Sequence, residues 1–265
     1  MPPVGLITSP DNAQCKAARA LHKKRVRYQE RRYLVEGLRT VAQALSQDMR
    51  LAALFYTPDL TQDPHGSELV EDAAGRGVPC HLVTPQVMAT LSDTVTPQGL
   101  LAVAEMPAPT LQAAQHADLL LVLDDLRDPG NLGTILRTAQ ATGVDAVLLT
   151  DGCVDAYAPK VVRAGMGAHF LLPLLPDLPW DQIGEAVQGK HCVLADPRDG
   201  VLPWELDWRP PLALIVSSEA HGASAAAQAL AMQHVRLPMR AEVESLNAAI
   251  ATAVLLFEAV RQRSA

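Results

Sequence analysis

Residues 128–143, DPGNLGTILRTAQATG, place an arginine inside an otherwise apolar helical pattern. Asn131 is of a type favoured at the N-cap of a helix, and Arg137 follows nearly two turns later. An arginine on such a helix is normally either held in an ion pair or used in chemistry. The ion-pair alternative has three nearby carboxylates as partners, those of Asp124, Asp125 and Asp128.

Two other segments place polar residues after an apolar strand. In LIVSSEAHGAS, Glu219 follows the strand and Gly222 adds backbone freedom, so the loop could bind a ligand through backbone amides and one carboxylate. A simple turn between a strand and a helix is the alternative. In RLPMRAEVESLN, Ser245 is a candidate N-cap of the last helix. Asn247 is predicted to lie buried in the first turn of that helix, where a cap at Ser245 does not explain it.

The elements that must position these segments are apolar strands alternating with helices. The predicted strands are DLLLVLDD, DAVLLTDG, HFLLPLL, HCVLADP, LALIVSSE and HVRLPM, followed by one long helix. Strands that are apolar throughout are typical of parallel sheets covered on both faces. Ligands bind beyond the carboxyl ends of such strands, and all three polar segments follow a strand there. The sequence lacks the GxGxxG, GxxxxGK[ST], GxSxG and HExxH patterns, which argues against those enzyme classes.

The first hundred residues have a different pattern. Residues 16–45 are helical in pattern apart from a short strand at Tyr33–Gly37, and LAALFYT, VPCHLVT and GLLAVAEM are further predicted strands. This alternation predicts a compact α/β unit. Residues 107–116 mix proline, threonine and small residues without a period. The expected division is therefore a domain at residues 1–106, a linker at 107–116 and a second domain at 117–265.

Composition restricts the class of protein. The chain has 265 residues, 49% of them hydrophobic, which suits one large or two ordinary domains. No apolar run is long enough to cross a bilayer, and the first residues lack the pattern of a signal peptide. The four cysteines form no CxxC pair, which argues against zinc and against a disulfide framework. We expect a reduced, cytoplasmic, soluble protein with no metal and no membrane partner.

A basic cluster contrasts with the net charge of −7. Residues 16–32 contain one acid, Glu30, and eight basic residues: Lys16, Arg19, Lys23, Lys24, Arg25, Arg27, Arg31 and Arg32. Such a cluster could neutralise phosphates of RNA or DNA by releasing counterions. A solvated basic helix face is the alternative.

Taken together, NLGTILRTA, LIVSSEAHGAS and RLPMRAEVESLNAAIATAVLLFE resemble the three signature motifs of the SpoU/TrmH-type RNA 2′-O-ribose methyltransferases of the SPOUT class, in the same order and at similar separations. YLVEGLRTVAQAL and LSDTVTPQGLLAV resemble the ribosomal-protein-like substrate-binding domain of many members. The resemblance covers nearly the whole chain. It implies an α/β fold with an N-terminal ribosomal-protein-like α/β domain, a C-terminal α/β SPOUT domain with a deep trefoil knot, and a homodimer.

The resemblance also implies an activity and the residues that carry it. Members of the family transfer a methyl group from S-adenosyl-L-methionine to the 2′-hydroxyl of a ribose in structured RNA. The family's catalytic positions fall on Asn131, Arg137, Glu219, Ser245 and Asn247. Its cofactor positions fall on Ser217, Ser218, Glu219, Gly222, Leu237, Met239, Leu246 and Ala248. The eight basic residues of 16–32 become the expected RNA contacts.

The sequence is compatible with more than one role for Arg137. The family proposal makes the matching arginine the general base that activates the hydroxyl. Because a guanidinium is normally protonated, Arg137 could instead stabilise the developing oxyanion or bind the adjacent phosphate.

The sequence departs from the family pattern at two positions. Ser217 stands where the family commonly has glycine, which would narrow the cofactor pocket, and Gly165 stands where serine is expected. Members with this N-terminal domain more often modify ribosomal RNA, so large-subunit (23S) rRNA is the expected substrate. The alternatives are a transfer-RNA 2′-O-methyltransferase, a non-catalytic RNA-binding or ribosome-assembly protein on the same scaffold, and an unrelated α/β enzyme with a nucleotide or nicotinamide cofactor.

Overall fold

The chain forms two compact units. The computed structural model describes residues 5–218, 222–240, 242–243 and 245–264. The first unit comprises the residues up to Met106 together with Tyr157–Phe170, and the second comprises Pro107–Ala156 and the residues from Leu171 onward. The structure thus differs from the expected division in two respects. Residues 107–116 belong to the second unit and contain a helix, and a segment from the middle of the chain belongs to the first.

The first unit is a four-stranded mixed sheet with the strand order β1-β4-β2-β3. Its strands, numbered in chain order, are β1 (Arg32–Glu36), β2 (Leu51–Tyr56), β3 (Cys80–Leu82) and β4 (Leu100–Glu105). Its helices are α1 (Ala13–Ala20), α2 (Lys24–Glu30), α3 (Leu38–Ser46), α4 (Pro64–Gly75), α5 (Pro85–Leu91) and α8 (Pro159–Gly165), with 3-10 turns at Pro58–Gln62 and Ala168–Phe170. β4 pairs antiparallel with β1 and β2, and β2 pairs parallel with β3.

Aromatic packing explains why residues 157–170 belong to the first unit. The ring of Tyr157 lies 4.9 Å from that of Tyr33 on β1 and 6.4 Å from that of Tyr28 on α2, measured between centroids. The buried ring of His169 lies 5.6 Å from Tyr157. Aromatic rings that pack closely contribute to stability, so this segment is anchored on β1 and α2.

The second unit is a six-stranded sheet with the order β10-β8-β9-β5-β6-β7, and every pair of neighbours runs parallel. Its strands are β5 (Leu119–Asp124), β6 (Ala146–Thr150), β7 (Leu174–Leu178), β8 (His191–Ala195), β9 (Leu212–Ser217) and β10 (Gln233–Val235). Its helices are α6 (Leu111–Gln115), α7 (Pro129–Ala141), α9 (Trp180–Ala186), α10 (Ala225–Leu230) and α11 (Ala248–Arg263), with a 3-10 turn at Pro203–Glu205. The predicted parallel α/β sheet is confirmed.

Burial on both faces accounts for the uniformly apolar strands. Leu120 and Ile215 pack in one core cluster with residues of α6, α9 and α10. The alternate residues Leu121 and Leu214 point to the other face and are also fully buried. Helices α7 and α11 pack against each other, and α11 contacts β9. The carboxyl ends of the strands are therefore left to the connecting loops.

Two glycines give a test of this backbone. Gly200, in the loop after β8, has a φ of +125°, and a Cβ there would lie 2.5 Å from backbone atoms of His234. Gly184, inside α9, would meet no atom within 4 Å. We expect Gly200→Ala to lower the free energy of unfolding by about 2 kcal/mol or more, because of strain and overlap. Gly184→Ala should raise it by about 0.5–1 kcal/mol through helix propensity. Urea unfolding followed by circular dichroism measures both, and equal effects of the two changes would contradict the description of this loop.

Candidate active site

A cleft of about 460 Å³ lies at the carboxyl ends of strands in the second unit. Its walls come from the loops after β8, β9 and β10 and from the first turns of α11. The volume falls in the range of pockets that hold small-molecule ligands. The cleft therefore has the position expected for a ligand site on a parallel sheet.

Most of the residues predicted to bind the cofactor line this cleft. The described ones are Ser217, Ser218, Gly222, Leu237, Met239, Leu246 and Ala248. Glu219 lies outside the described residues. Loops that are far apart in the sequence thus converge on one cavity. Its lining combines apolar side chains with the polar backbone groups of residues at the end of a strand.

The structure adds a wall that the sequence reasoning missed. The end of β8 and the loop after it, residues 195–198, also line the cleft, and so does Leu255 of α11. Asp196 shapes this loop because its Oδ1 accepts hydrogen bonds from the backbone N–H groups of Arg198 and Asp199, at 2.8 and 3.3 Å. The signal was present in the sequence, since ADPRDG is a polar, turn-forming segment directly after an apolar strand.

Helix α7 begins earlier than expected, which changes the role of Asn131. Asp128, not Asn131, is the N-cap, and its Oδ1 accepts a hydrogen bond from the Asn131 N–H at 2.7 Å. The prediction of Asn131 as a cap is therefore wrong. Asn131 lies in the first turn of the helix and is half-buried. Pro129 is the first residue of the helix, where its fixed φ suits the helical conformation.

Helix α11 shows the same kind of shift. Its N-cap is Asn247, whose Oδ1 accepts hydrogen bonds from the N–H groups of Ala249 and Ile250, at 3.0 and 3.3 Å. The predicted cap at Ser245 is wrong, and Asn247 is exposed rather than buried. Ser245 instead lines the cleft.

One hydrogen bond joins the two helix starts. The Nδ2 of Asn247 donates to the Oδ1 of Asn131 at 2.9 Å. Two of the predicted catalytic residues, 116 positions apart in the chain, are thereby held side by side.

Arg137 lies further along α7 and is exposed to solvent. Six residues of helix place it about 9 Å beyond Asn131 along the axis. Among the residues that the structure describes, no carboxylate lies within ion-pair distance of its guanidinium.

The three carboxylates considered as partners of Arg137 are engaged elsewhere. Asp124 accepts hydrogen bonds from Ser217 and Ser224, Asp125 accepts one from Arg127 at 2.9 Å, and Asp128 caps α7. The ion-pair explanation of this arginine is therefore not supported within the described part of the chain.

A cysteine near these loops has a structural role. Burial raises the pKa of the Cys153 thiol, so the group stays protonated at neutral pH. The thiol donates to the carbonyl oxygen of Leu123 at 3.2 Å, which ties the turn after β6 to β5. Its geometry is that of a packing residue rather than a nucleophile.

The described residues contain neither a candidate metal site of three or more ligands nor a candidate membrane-spanning helix. Within the ranges given above, no group of three or more His, Cys, Asp or Glu side chains could hold a metal ion. None of the described helices combines the length and hydropathy needed to cross a membrane.

The basic cluster of the first unit is mostly, but not entirely, exposed to solvent. Lys16, Lys23, Lys24, Arg25, Arg31 and Arg32 are exposed, and Arg19 is half-buried. Arg27 is only 3% exposed, and its Nη1 donates to the carbonyl oxygen of Leu21 at 2.6 Å. The prediction of Arg27 as an RNA contact is wrong, because this guanidinium is used to join α2 to the end of α1.

The fold and the site define a class of protein: a parallel α/β domain with a ligand cleft at its carboxyl edge, preceded by a smaller mixed α/β unit. Residues 118–257 match the SpoU rRNA Methylase family, and residues 12–102 match the MRM3-like substrate binding domain. The chain belongs to the SpoU rRNA methylase family.

Relatives of nearly the same length support this assignment. The chain is 38% identical to an uncharacterized tRNA/rRNA methyltransferase of Synechocystis, over 98% of this chain and 95% of the relative. It is 32% identical to the 23S rRNA (guanosine(2553)-2′-O)-methyltransferase RlmP of Bacillus subtilis, over 95% of this chain and 97% of the relative. It is also similar to the crystal structure of an AdoMet-bound rRNA methyltransferase from Sinorhizobium meliloti, with a TM-score of 0.85, 30% identity and 97% of both chains covered.

The double role of Asn247 can be tested by two substitutions. Asn247→Ala removes both the cap and the donor to Asn131, so the free energy of unfolding should fall by about 1 kcal/mol. Asn247→Asp keeps a capping oxygen and should stay within about 0.5 kcal/mol of the parent protein. Chemical unfolding measures the difference. If the aspartate variant loses as much stability as the alanine variant, Asn247 is not acting as a cap.

Proposed function

We propose that the protein transfers a methyl group from S-adenosyl-L-methionine to the 2′-hydroxyl of a ribose in structured RNA. The observation that carries the proposal is the convergence of the cleft-lining loops with the Asn131–Asn247 pair at one edge of the parallel sheet. The family to which the chain belongs and the activity for which its relative RlmP is named support the same reaction.

The cleft fits this cofactor in size and chemistry. Its apolar residues, Leu237, Met239, Leu246 and Leu255, would face an adenine ring. The backbone N–H and C=O groups of Ser217 and Ser218, at the end of β9, would bind the ribose and the amino-acid portion of S-adenosyl-L-methionine. The cleft thus combines apolar side chains with polar groups, and both are found in cofactor sites.

When bound, S-adenosyl-L-methionine supplies an electrophilic methyl group with a neutral thioether as its leaving group. The remaining difficulty is the weakly acidic ribose hydroxyl, which must pass its proton to solvent water as its oxygen bonds to the methyl carbon and the bond from that carbon to sulfur breaks. We assign Arg137 to stabilise the negative charge that develops on that oxygen, because its side chain is exposed and a guanidinium offers several N–H donors to an oxyanion. The Asn131–Asn247 pair and Ser245 would orient the ribose.

Ribosomal RNA is the substrate we favour, in particular that of the large subunit. RlmP is named for 23S rRNA, and the structural neighbour from Sinorhizobium meliloti is an rRNA methyltransferase. The matched substrate-binding domain carries the exposed basic residues of α1 and α2. Lysine and arginine side chains at such a surface bind phosphates without regard to sequence.

Assembly, topology and location are further parts of the proposal. Ile250, Val254 and Phe257 lie at helical spacing on one face of α11 and are 56%, 47% and 54% exposed. An apolar stripe of this kind is typical of a surface buried in an oligomer, so we propose a homodimer through α11. We also propose the trefoil knot of the SPOUT class for the second unit and a cytoplasmic location.

The activity is tested with radiolabelled S-adenosyl-L-methionine and two substrate pools, unmodified ribosomal RNA and unmodified transfer RNA. Label should enter the ribosomal RNA at an alkali-resistant linkage, which is diagnostic of a methylated 2′-oxygen. Arg137→Ala should lower kcat by about 10²-fold or more while leaving cofactor affinity within about twofold, because the side chain acts on the hydroxyl.

Arg209→Ala is the matched control. This exposed arginine pairs with Asp207 ahead of β9, at the opposite end of the strand from the cleft, and its loss should not change kcat. Label in transfer RNA alone would overturn the ribosomal assignment. Cofactor binding without label in either pool would favour a non-catalytic RNA-binding protein, and no cofactor binding would overturn the enzyme proposal.

The α11 interface makes a separate prediction. Phe257→Glu introduces a charge into the apolar stripe, and desolvating that charge should convert the dimer into monomers at micromolar concentration. Sedimentation velocity measures the change. Val95→Glu, at an exposed apolar residue of the first unit, should leave the sedimentation coefficient as it is. A parent protein that sediments as a monomer would refute the proposed interface.

A further inference from the structure

Asp124 is a buried carboxylate that no motif singled out. It is the last residue of β5, and it is only 2% exposed. Removing a carboxylate from water is costly unless hydrogen bonds compensate the charge. The partners of Asp124 therefore indicate what this residue is for.

Among the described residues, three partners of Asp124 lie at the end of β9 or in the loop after it. The Oδ2 of Asp124 accepts hydrogen bonds from the hydroxyl of Ser217 at 3.1 Å and from the N–H of Ser224 at 2.8 Å. Its main-chain oxygen accepts a third from the N–H of Ser218 at 3.1 Å. One residue on β5 thus holds both the start and the end of the loop.

Two described residues between these anchors are bonded to each other. The N–H of Gly222 donates to the carbonyl oxygen of Ser218 at 2.9 Å, and the two residues form an isolated bridge. Ser217, Ser218, Gly222 and Ala223 all line the cleft. These four residues are therefore part of the wall of the proposed cofactor site.

The second anchor also sets the start of a helix. Ser224 is the N-cap of α10, and its hydroxyl accepts a hydrogen bond from the N–H of Ala227 at 3.1 Å. While the Ser224 side chain caps the helix, its own N–H is satisfied by Asp124. The Asp124 carboxylate thus binds a residue at each end of the loop, Ser217 and Ser224.

We infer that Asp124 is a positioning residue for the cofactor: by bonding Ser217 and Ser224 it holds the cleft wall in its binding geometry. The inference rests on the proposed function. It also explains why position 217 is a serine. The Ser217 hydroxyl donates a hydrogen bond to Asp124, which a glycine at this position could not do. Asp124 does not itself line the cleft, so its effect on the cofactor passes through the loop.

Two substitutions test the carboxylate and its partner. Asp124→Asn keeps an acceptor oxygen but removes the charge, and Ser217→Ala removes one donor. Each should raise the Kd for S-adenosyl-L-methionine about fivefold or more, measured by isothermal titration calorimetry, because charge-assisted bonds are the stronger ones. The KM for the cofactor should rise with the Kd, while kcat at saturating cofactor changes by less than about twofold.

The double variant separates positioning from a general loss of stability. If the two residues act through one hydrogen bond, the effects on Kd should be less than multiplicative. Thr142→Val is the matched control, since it removes a buried hydroxyl that donates to the Thr138 carbonyl oxygen at the far end of α7. This control should leave the Kd unchanged even if it lowers the melting temperature.

The outcomes distinguish the inference from the function on which it rests. Single variants with the parent Kd, or multiplicative effects in the double variant, would overturn the role of Asp124 and leave the proposed function intact. An effect on kcat with an unchanged KM would also overturn it. A parent protein that binds no S-adenosyl-L-methionine would overturn the proposed function and the inference together.

Discussion

The parallel direction of all six strands in the second unit is the constraint on which the site depends. Parallel strands end at the same edge, so the loops after β5, β8, β9 and β10 share one edge although they are far apart in sequence. Because helices cover both faces of the sheet, this edge is where loops are free to form a cavity. The cleft is thus a consequence of strand direction, and its chemistry follows from which residues end the strands.

Some side chains that cap helices also belong to the proposed site. Every helix begins with N–H groups that have no partner within the helix, and short polar residues satisfy them. Asp128 and Asn247 meet this requirement for α7 and α11, and Asn247 also binds Asn131 with its remaining amide group. A structural demand at two helix ends thereby fixes the relative position of two polar side chains.

The second unit also shows how a buried charge can organise a loop. Asp124 has hydrogen bonds to both ends of the loop after β9, so the carboxylate and the loop stabilise each other. Arg27 in the first unit is a comparable case with the opposite charge, since its guanidinium satisfies the end of α1 and is withdrawn from solvent. The charge of a side chain therefore does not by itself show whether the side chain binds another molecule or forms a contact within the protein.

The sequence by itself determined the α/β class, the parallel sheet and the segments that form the site, because apolar periodicity and strand-end polarity are local signals. It did not determine which residue of DPGN or ESLN caps a helix, since several neighbouring residues have the chemistry to do so. It also could not show that residues 157–170 pack with the first unit, or that Asp124 and Ser224 are bonded, because both depend on contacts between residues distant in the chain. Those choices were decided by the tertiary structure, where burial obliges each polar group to find a partner.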